Sequence, residues 1–284
     1  MCPFLLHLWV NKKMQPIRVI FHSKHPVCKN TFLIYIFCIL KVYGIIDVAM
    51  DTKVNVKKWG KTPMIAVAIS DRDVELVKAD ELPVIDVIEL RVDMFKDLSS
   101  SYVENIFKVA KKRFSKPLLG TIRCLKEGGN KFIPENTRYE LFKTIVPVAD
   151  IIDVEFQSTI YKKVIRLSHS MKKPVIASYH DLKQTPDDTA LLKLLMQAKT
   201  GSPDIIKLAL KAKTRNDVAR LLCFTIKHRD EHLITISLGE KGKISRFINP
   251  LFGSMLTYGY ISSPKAEGQL HVKQLADQLK MWMI

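Results

Sequence analysis

A lysine within one aliphatic run, a histidine closing another and arginines at the ends of similar runs suggest a chemistry before they suggest a shape. Lys207 lies in Ile205-Ile206-Lys207-Leu208-Ala209. An ammonium enclosed by Ile206 and Leu208, with arginines converging nearby, is opposed by desolvation and by like charge. Both effects favour the neutral amine, the form that attacks a carbonyl. His180 is of the type that moves protons near neutral pH. Arg91, Arg123 and Arg246 offer planar forks for a carboxylate and hydroxyls. A lysine, a histidine and several arginines together point to Schiff-base chemistry on an anionic keto-substrate.

The spacing of the charges carries more than their types. In Val87-Ile88-Glu89-Leu90-Arg91-Val92-Asp93 the three charged residues alternate with aliphatic ones. At period two they share one face of a strand and leave the other face apolar. Thr121 and Arg123 close a third run in this manner, Asp153 and Glu155 a fourth, Ser178 and His180 a fifth. Taken singly, each is an ordinary ion-pair partner, rim residue or hydrogen-bonded core residue. Taken together they place polar groups at the ends of five strands, and burying unpaired charge costs several kcal/mol per group, about 3–5 when one partner is missing.

Something must bring those ends to one place. Short apolar, β-branched runs at 64–69, 84–91, 117–123, 150–156, 174–179, 204–210, 232–238 and 255–261 alternate with amphipathic stretches, the pattern of repeated βα units. Helices are expected over 101–114, 187–200, 216–228 and 269–281. Eight strands, each followed by a helix, predict a closed (β/α)8 barrel of the α/β class, with its site at the mouth formed by the C-terminal strand ends. An open doubly wound sheet would need two exposed edges, for which no strand here is built.

Other chemistries are excluded or unsupported. Gly239-Glu240-Lys241-Gly242-Lys243 has two residues between its glycines where a phosphate loop needs four, and Ile244 follows where Ser or Thr belongs. His22, His25 and Cys28 lack a regularly spaced fourth zinc ligand. The five cysteines include no CxxC pair and make no disulfide framework. No metal or cofactor is expected. The formal net charge of +17 is spread over helix faces without a basic run or an aromatic platform, so nucleic acid is not expected as a partner. A positive field would instead steer a small carboxylate.

Residues 1–49 differ in character. A basic lead precedes an apolar stretch over 31–46, interrupted by Lys41. It is short for a transmembrane anchor and carries a mid-span charge, and it lacks the cleavage signal of a signal peptide. The favoured expectation is an extension outside the barrel, with synthesis starting at Met50 and the barrel occupying 50–284. Stable membrane association is expected only if 31–46 inserts.

From about Met64 to about Leu279 the chain resembles the type I 3-dehydroquinate dehydratases. The motifs that carry the resemblance occur in order: Glu89-Leu-Arg-Val-Asp93, Thr121-Ile-Arg-Cys-Leu-Lys-Glu-Gly-Gly129, Ser178-Tyr-His-Asp181, Ile205-Ile-Lys-Leu-Ala209, Gly242-Lys-Ile-Ser-Arg246 and Gly268-Gln269. The resemblance implies a shikimate-pathway lyase, a cytoplasmic homodimer of chorismate and aromatic amino acid biosynthesis, that takes 3-dehydroquinate to 3-dehydroshikimate. Lys207 would form the Schiff base, His180 would act as general acid and base, and Glu127 would orient the histidine. Glu89, Arg91 and Arg123 would contact substrate hydroxyls and scaffold, and Arg246 and Gln269 the carboxylate. Two positions depart from the pattern. The closing stretch reads Lys265-Ala266-Glu267-Gly268-Gln269 where a Ser-Ala-Pro-Gly-Gln type is common, and Leu182 stands where an aromatic residue often follows His-Asp. A sugar-phosphate class I aldolase would more readily show a phosphate cradle, and a non-catalytic barrel homologue would not need both Lys207 and His180.

Overall fold

The computed structural model describes residues 5–8, 17–20, 59 and 63–282. The chain divides into two compact units, 1–51 and 52–284. In the first, strands Leu5–Leu8 and Ile17–Ile20 pair antiparallel. The apolar stretch 31–46, the His22/His25/Cys28 trio and Met50 lie outside the described residues. Among the described residues no helix is long and apolar enough to cross a membrane.

In the second unit, strands run parallel in chain order: β1 (Met64–Ile69), β2 (Val87–Arg91), β3 (Leu118–Thr121), β4 (Ile151–Glu155), β5 (Val175–Asp181), β6 (Ile205–Lys211), β7 (Leu233–Leu238) and β8 (Leu256–Tyr260). β8 returns to pair with β1, while β9 (Leu270–His271) lies on its other edge. The remaining gap, between β7 and β8, is closed at its base by Met255 N–H donating to the Leu233 carbonyl at 2.8 Å. Higher up, side chains fill it. Ser254 Oγ accepts from Thr235 N–H at 2.9 Å, and Asn249 Nδ2 donates to the Thr235 carbonyl at 3.2 Å. The result is a curled parallel sheet wrapped by α1 (Ser100–Phe114), α2 (Glu135–Ile145), α3 (Tyr161–Ser170), α4 (Asp188–Lys199), α5 (Arg215–Lys227), α6 (Ser245–Leu251) and α7 (Val272–Trp282).

The core has two layers because strand side chains alternate. Val87, Leu119, Ile151, Ile176, Ile205 and Ile234 fill the interior, and Trp59 and Met64 pack against them. Their neighbours Ile88, Leu118, Ile152, Val175, Ile206 and Leu208 face the helices, meeting Phe107, Phe142, Val164 and Leu195. Helix starts follow local capping. Asp187 accepts from Ala190 N–H, and Thr214 with Asp217 forms a reciprocal capping box.

Three expectations change. β1 is not followed by an α-helix but by turns and a single 3-10 turn, Leu82–Val84. Carboxylates there bind backbone N–H groups instead: Asp73 takes that of Ser70, Asp71 that of Lys96 and Glu81 that of Lys78, which competes with helix formation. The last helix begins at Val272, because 270–271 pair as β9. Arg123 stands just beyond its strand, which ends at Thr121.

Candidate active site

Lys207 points inward one layer above Ile205 and is 4% exposed. Ile206 and Leu208 do not enclose its ammonium, since alternation turns both toward the helices. Its neighbours come from across the barrel. Nζ donates to Tyr258 Oη at 3.0 Å and lies 4.3 Å from that ring's centre. Asp153 Oδ2 is 3.4 Å away and Glu89 Oε2 3.9 Å. Carboxylates therefore offset the like charge expected from the arginines, and desolvation and repulsion do not act on Lys207 alone. Burial, with Glu89 and Asp153 beside it, holds the Tyr258 phenol well above its ordinary range. Tyr258 was not legible as a site residue, because an aromatic in an apolar strand reads as core.

The three arginines separate by what they already hold. Arg123 donates to Asp153 Oδ1 at 2.7 Å, Glu155 Oε1 at 3.0 Å and Ser178 Oγ at 2.7 Å. Burial would raise Asp153, but Arg123 and Lys207 overcome it and keep that carboxyl below its ordinary range. Arg91 grips Asp93 with two bonds, 2.9 and 2.8 Å, and reaches the Gly128 carbonyl at 3.2 Å. Arg246 differs. It is 2% exposed, its Nε has no hydrogen-bond partner, and one terminal nitrogen reaches only the Glu267 carbonyl at 3.5 Å. Burial pushes it down to about 10. A desolvated cation without a carboxylate partner among the described residues is a ready anion site.

Behind Arg123 stands Arg138 of α2, fully buried, which donates to the Ile122 carbonyl through two nitrogens and pairs with Glu155 and Glu135. It fixes the backbone just before Arg123 and, through Glu155, its guanidinium. Arg138→Ala is expected to cost about 3 kcal/mol, the scale for breaking a buried pair, read from denaturant unfolding.

His180 follows Lys207 toward the mouth on the neighbouring strand: Ser178 is in register with Lys207, and His180 with Ala209. Glu127 Oε2 accepts the His180 backbone N–H at 2.8 Å and contacts Nδ1 at 3.0 Å. An oxygen already accepting one N–H accepts the second, so Nδ1 carries the proton and Nε2 keeps its lone pair. Burial, then the charges of Arg123, Lys207 and Arg91, push His180 well below its usual value, which keeps the ring neutral. Burial raises Glu127 to about 8 against the pull of Arg123.

The sign of a pH effect follows. Between the ordinary carboxyl value of 4.5 and about 8 the folded chain holds a proton on Glu127 that the unfolded chain has lost. That contribution to stability is whole below 4.5 and gone above about 8. Glu127→Gln cannot ionise. Relative to the parent it should therefore gain about 5 kcal/mol in unfolding free energy between pH 4 and pH 9. Equal pH profiles for the two proteins would contradict the burial argument.

One cavity of about 320 Å³ is lined by Lys207, His180, Glu127, Glu89, Arg91, Arg123, Arg246 and Gln269, together with Tyr258 and Lys265. All eight residues singled out in the sequence therefore meet. Gln269 is partly committed, its Oε1 accepting from Lys265 N–H at 2.7 Å and Ala266 N–H at 3.2 Å, which leaves its amide NH2 to donate. Leu182 sits at the rim, beside Gly128.

The fold and this cavity define a β/α-barrel protein with a buried lysine at the mouth of its sheet. The model of the type I 3-dehydroquinase family matches residues 64–284, and the chain belongs to that family. A 3-dehydroquinate dehydratase of Thermodesulfovibrio yellowstonii is 37% identical over 219 residues, covering 77% of this chain and 95% of the relative. The crystal structure of the Aquifex aeolicus 3-dehydroquinate dehydratase superposes with a TM-score of 0.67 at 31% identity, over 78% of this chain and 99% of that one. The type I enzyme of Clostridium difficile does so with a TM-score of 0.72 at 30% identity, over 82% and 98%.

Proposed function

We propose that the chain dehydrates 3-dehydroquinate to 3-dehydroshikimate through an imine on Lys207. The observation that carries this reading is the content of one cavity: an inward amine, an imidazole whose Nε2 has no partner among the described residues, and a buried arginine without a carboxylate partner among them. Arg246, with the Gln269 amide, takes the substrate carboxylate and so directs the ring ketone toward Lys207. The amine adds to the C3 carbonyl, and loss of water gives an iminium. This electron sink acidifies the C2 proton, which His180 Nε2 removes to leave an enamine. The enamine expels the C1 hydroxyl, His180 returns its proton to form water, and hydrolysis of the conjugated iminium frees product and Lys207. The balance is the loss of one water, with no oxidant or cofactor in any step.

Glu127 holds the histidine in the tautomer this sequence needs. Asp153 and Tyr258 bracket the amine and can pass protons during imine formation and hydrolysis. Glu89, Arg91 and Arg123 face substrate hydroxyls or support the groups that do. The same reading places the protein in the cytoplasm as a homodimer, with the barrel in 50–284 and the extension 1–49 outside it. The direct test is turnover: incubation with 3-dehydroquinate should generate the ultraviolet absorbance of a conjugated enone. A folded protein that leaves the substrate unchanged would overturn the assignment.

A further inference from the structure

The loop 262–269, between β8 and β9, crosses the cavity mouth and contributes Lys265, Ala266, Glu267 and Gln269 to its lining. On the β1 side it is tied to Asp73, which receives Lys265 Nζ at 3.0 Å and Ser262 Oγ at 3.3 Å. On the other side it lies on Gly239, just past β7. Gly239 N–H donates to the Glu267 carbonyl at 3.3 Å, and a Cβ on Gly268 would stand 2.6 Å from the Gly239 oxygen. Only a backbone without side chains lets the two segments approach so closely.

Lys211 spans this junction. It ends β6 four residues beyond Lys207, and its side chain passes over Gly239, where a Cβ would meet Nζ at 2.9 Å. Its ammonium pairs with the Glu267 carboxylate. The carbonyl of the same Glu267 is what Arg246 touches, and the next residue but one is Gln269. The groups assigned to the substrate carboxylate are thus fixed against a loop whose charged fastening on this side is Lys211–Glu267.

We propose that Lys211 is a positioning residue for substrate-carboxylate binding: its ion pair with Glu267 holds the loop docked on Gly239, and with it the placement of Gln269 and the contact to Arg246. The inference rests on the dehydratase reading for its substrate, but the docking itself does not. A half-exposed ion pair shifts the docked fraction only modestly, and apparent affinity falls in proportion to that fraction.

The test compares Lys211→Met, Lys211→Glu, Glu267→Gln and the exchanged pair Lys211→Glu/Glu267→Lys with the parent. KM for 3-dehydroquinate should rise about three- to five-fold in Lys211→Met and Glu267→Gln, with kcat held within about twofold. It should rise further in Lys211→Glu and return to near parental in the exchanged pair. A generally loosened fold would not be rescued by reversing both charges. Hydrogen exchange of the 265–269 amides, measured without substrate, should speed up in the single variants and recover in the exchanged pair. Unchanged exchange in Lys211→Met, or an exchanged pair no better than Lys211→Glu, would overturn the proposal. Were 3-dehydroquinate not turned over by the parent, the dehydratase reading would fail, and the exchange data would still decide the latch.

Discussion

Lys207→Ala should lower kcat for 3-dehydroquinate by about 10⁴-fold or more, the scale seen when a covalent nucleophile is removed. The loss goes beyond one contact. Without the iminium, the proton beside the ketone is far less acidic and the departing hydroxyl has no enamine to expel it, so both later steps lose their driving force. The check is borohydride reduction in the presence of 3-dehydroquinate, followed by peptide mass mapping. The parent should carry a substrate-dependent mass on the peptide containing Lys207, and the alanine variant should carry none. A folded parent that gains no adduct would remove the imine from the mechanism and shift the weight to a barrel that kept the fold without the chemistry.

His180→Ala should separate condensation from elimination. Its kcat is expected to fall about 10³-fold, within the range for a positioned acid–base group, while borohydride still labels Lys207. The imine forms through the amine and its own neighbours, Asp153 and Tyr258, and waits for a base that is gone. Exchange of the substrate C2 hydrogen with deuterated solvent should disappear together with turnover. Near-parental exchange in this variant would mean that another group takes the proton, and Nε2 would lose its role.

The strands and the inward charges were legible because period-two alternation is a local property. Glu89, Arg91 and Lys207 show it within a few residues, and the structure keeps the strands within a few residues of their expected bounds. What Arg123, Arg246 and Lys207 hold was not local. Arg91, Arg123 and Arg246 looked alike: Arg91 is held by Asp93 two residues on, whereas only pairing across strands reveals Arg123 held by Asp153 and Glu155, and Arg246 has no carboxylate partner among the described residues. Arg138 was invisible for the same reason, since its partners Ile122 and Glu155 come from other elements. Tyr258 matters through its hydroxyl, yet its strand reads as plain apolar sequence. Helices 135–145, 161–170 and 245–251 were not singled out. The last has seven residues and contains Pro250, too little for a periodic stripe to declare itself. The turns after β1 escaped because acidic side chains there satisfy backbone groups that a helix would otherwise have used.

The side-chain seam between β7 and β8 makes the barrel unequal around its circumference. Elsewhere adjacent strands are joined by ladders of backbone bonds. Here Asn249 and Ser254 substitute for part of one, and α6 (the helix of Arg246) lies beside it. Local opening should therefore begin at this joint, where the fewest cooperative bonds must break. Such an excursion would move Arg246 while β5 and β6, still laddered together, keep His180 and Lys207 in register. Slow-exchanging amides should accordingly cluster on β5 and β6 and be scarcest beside the β7–β8 joint.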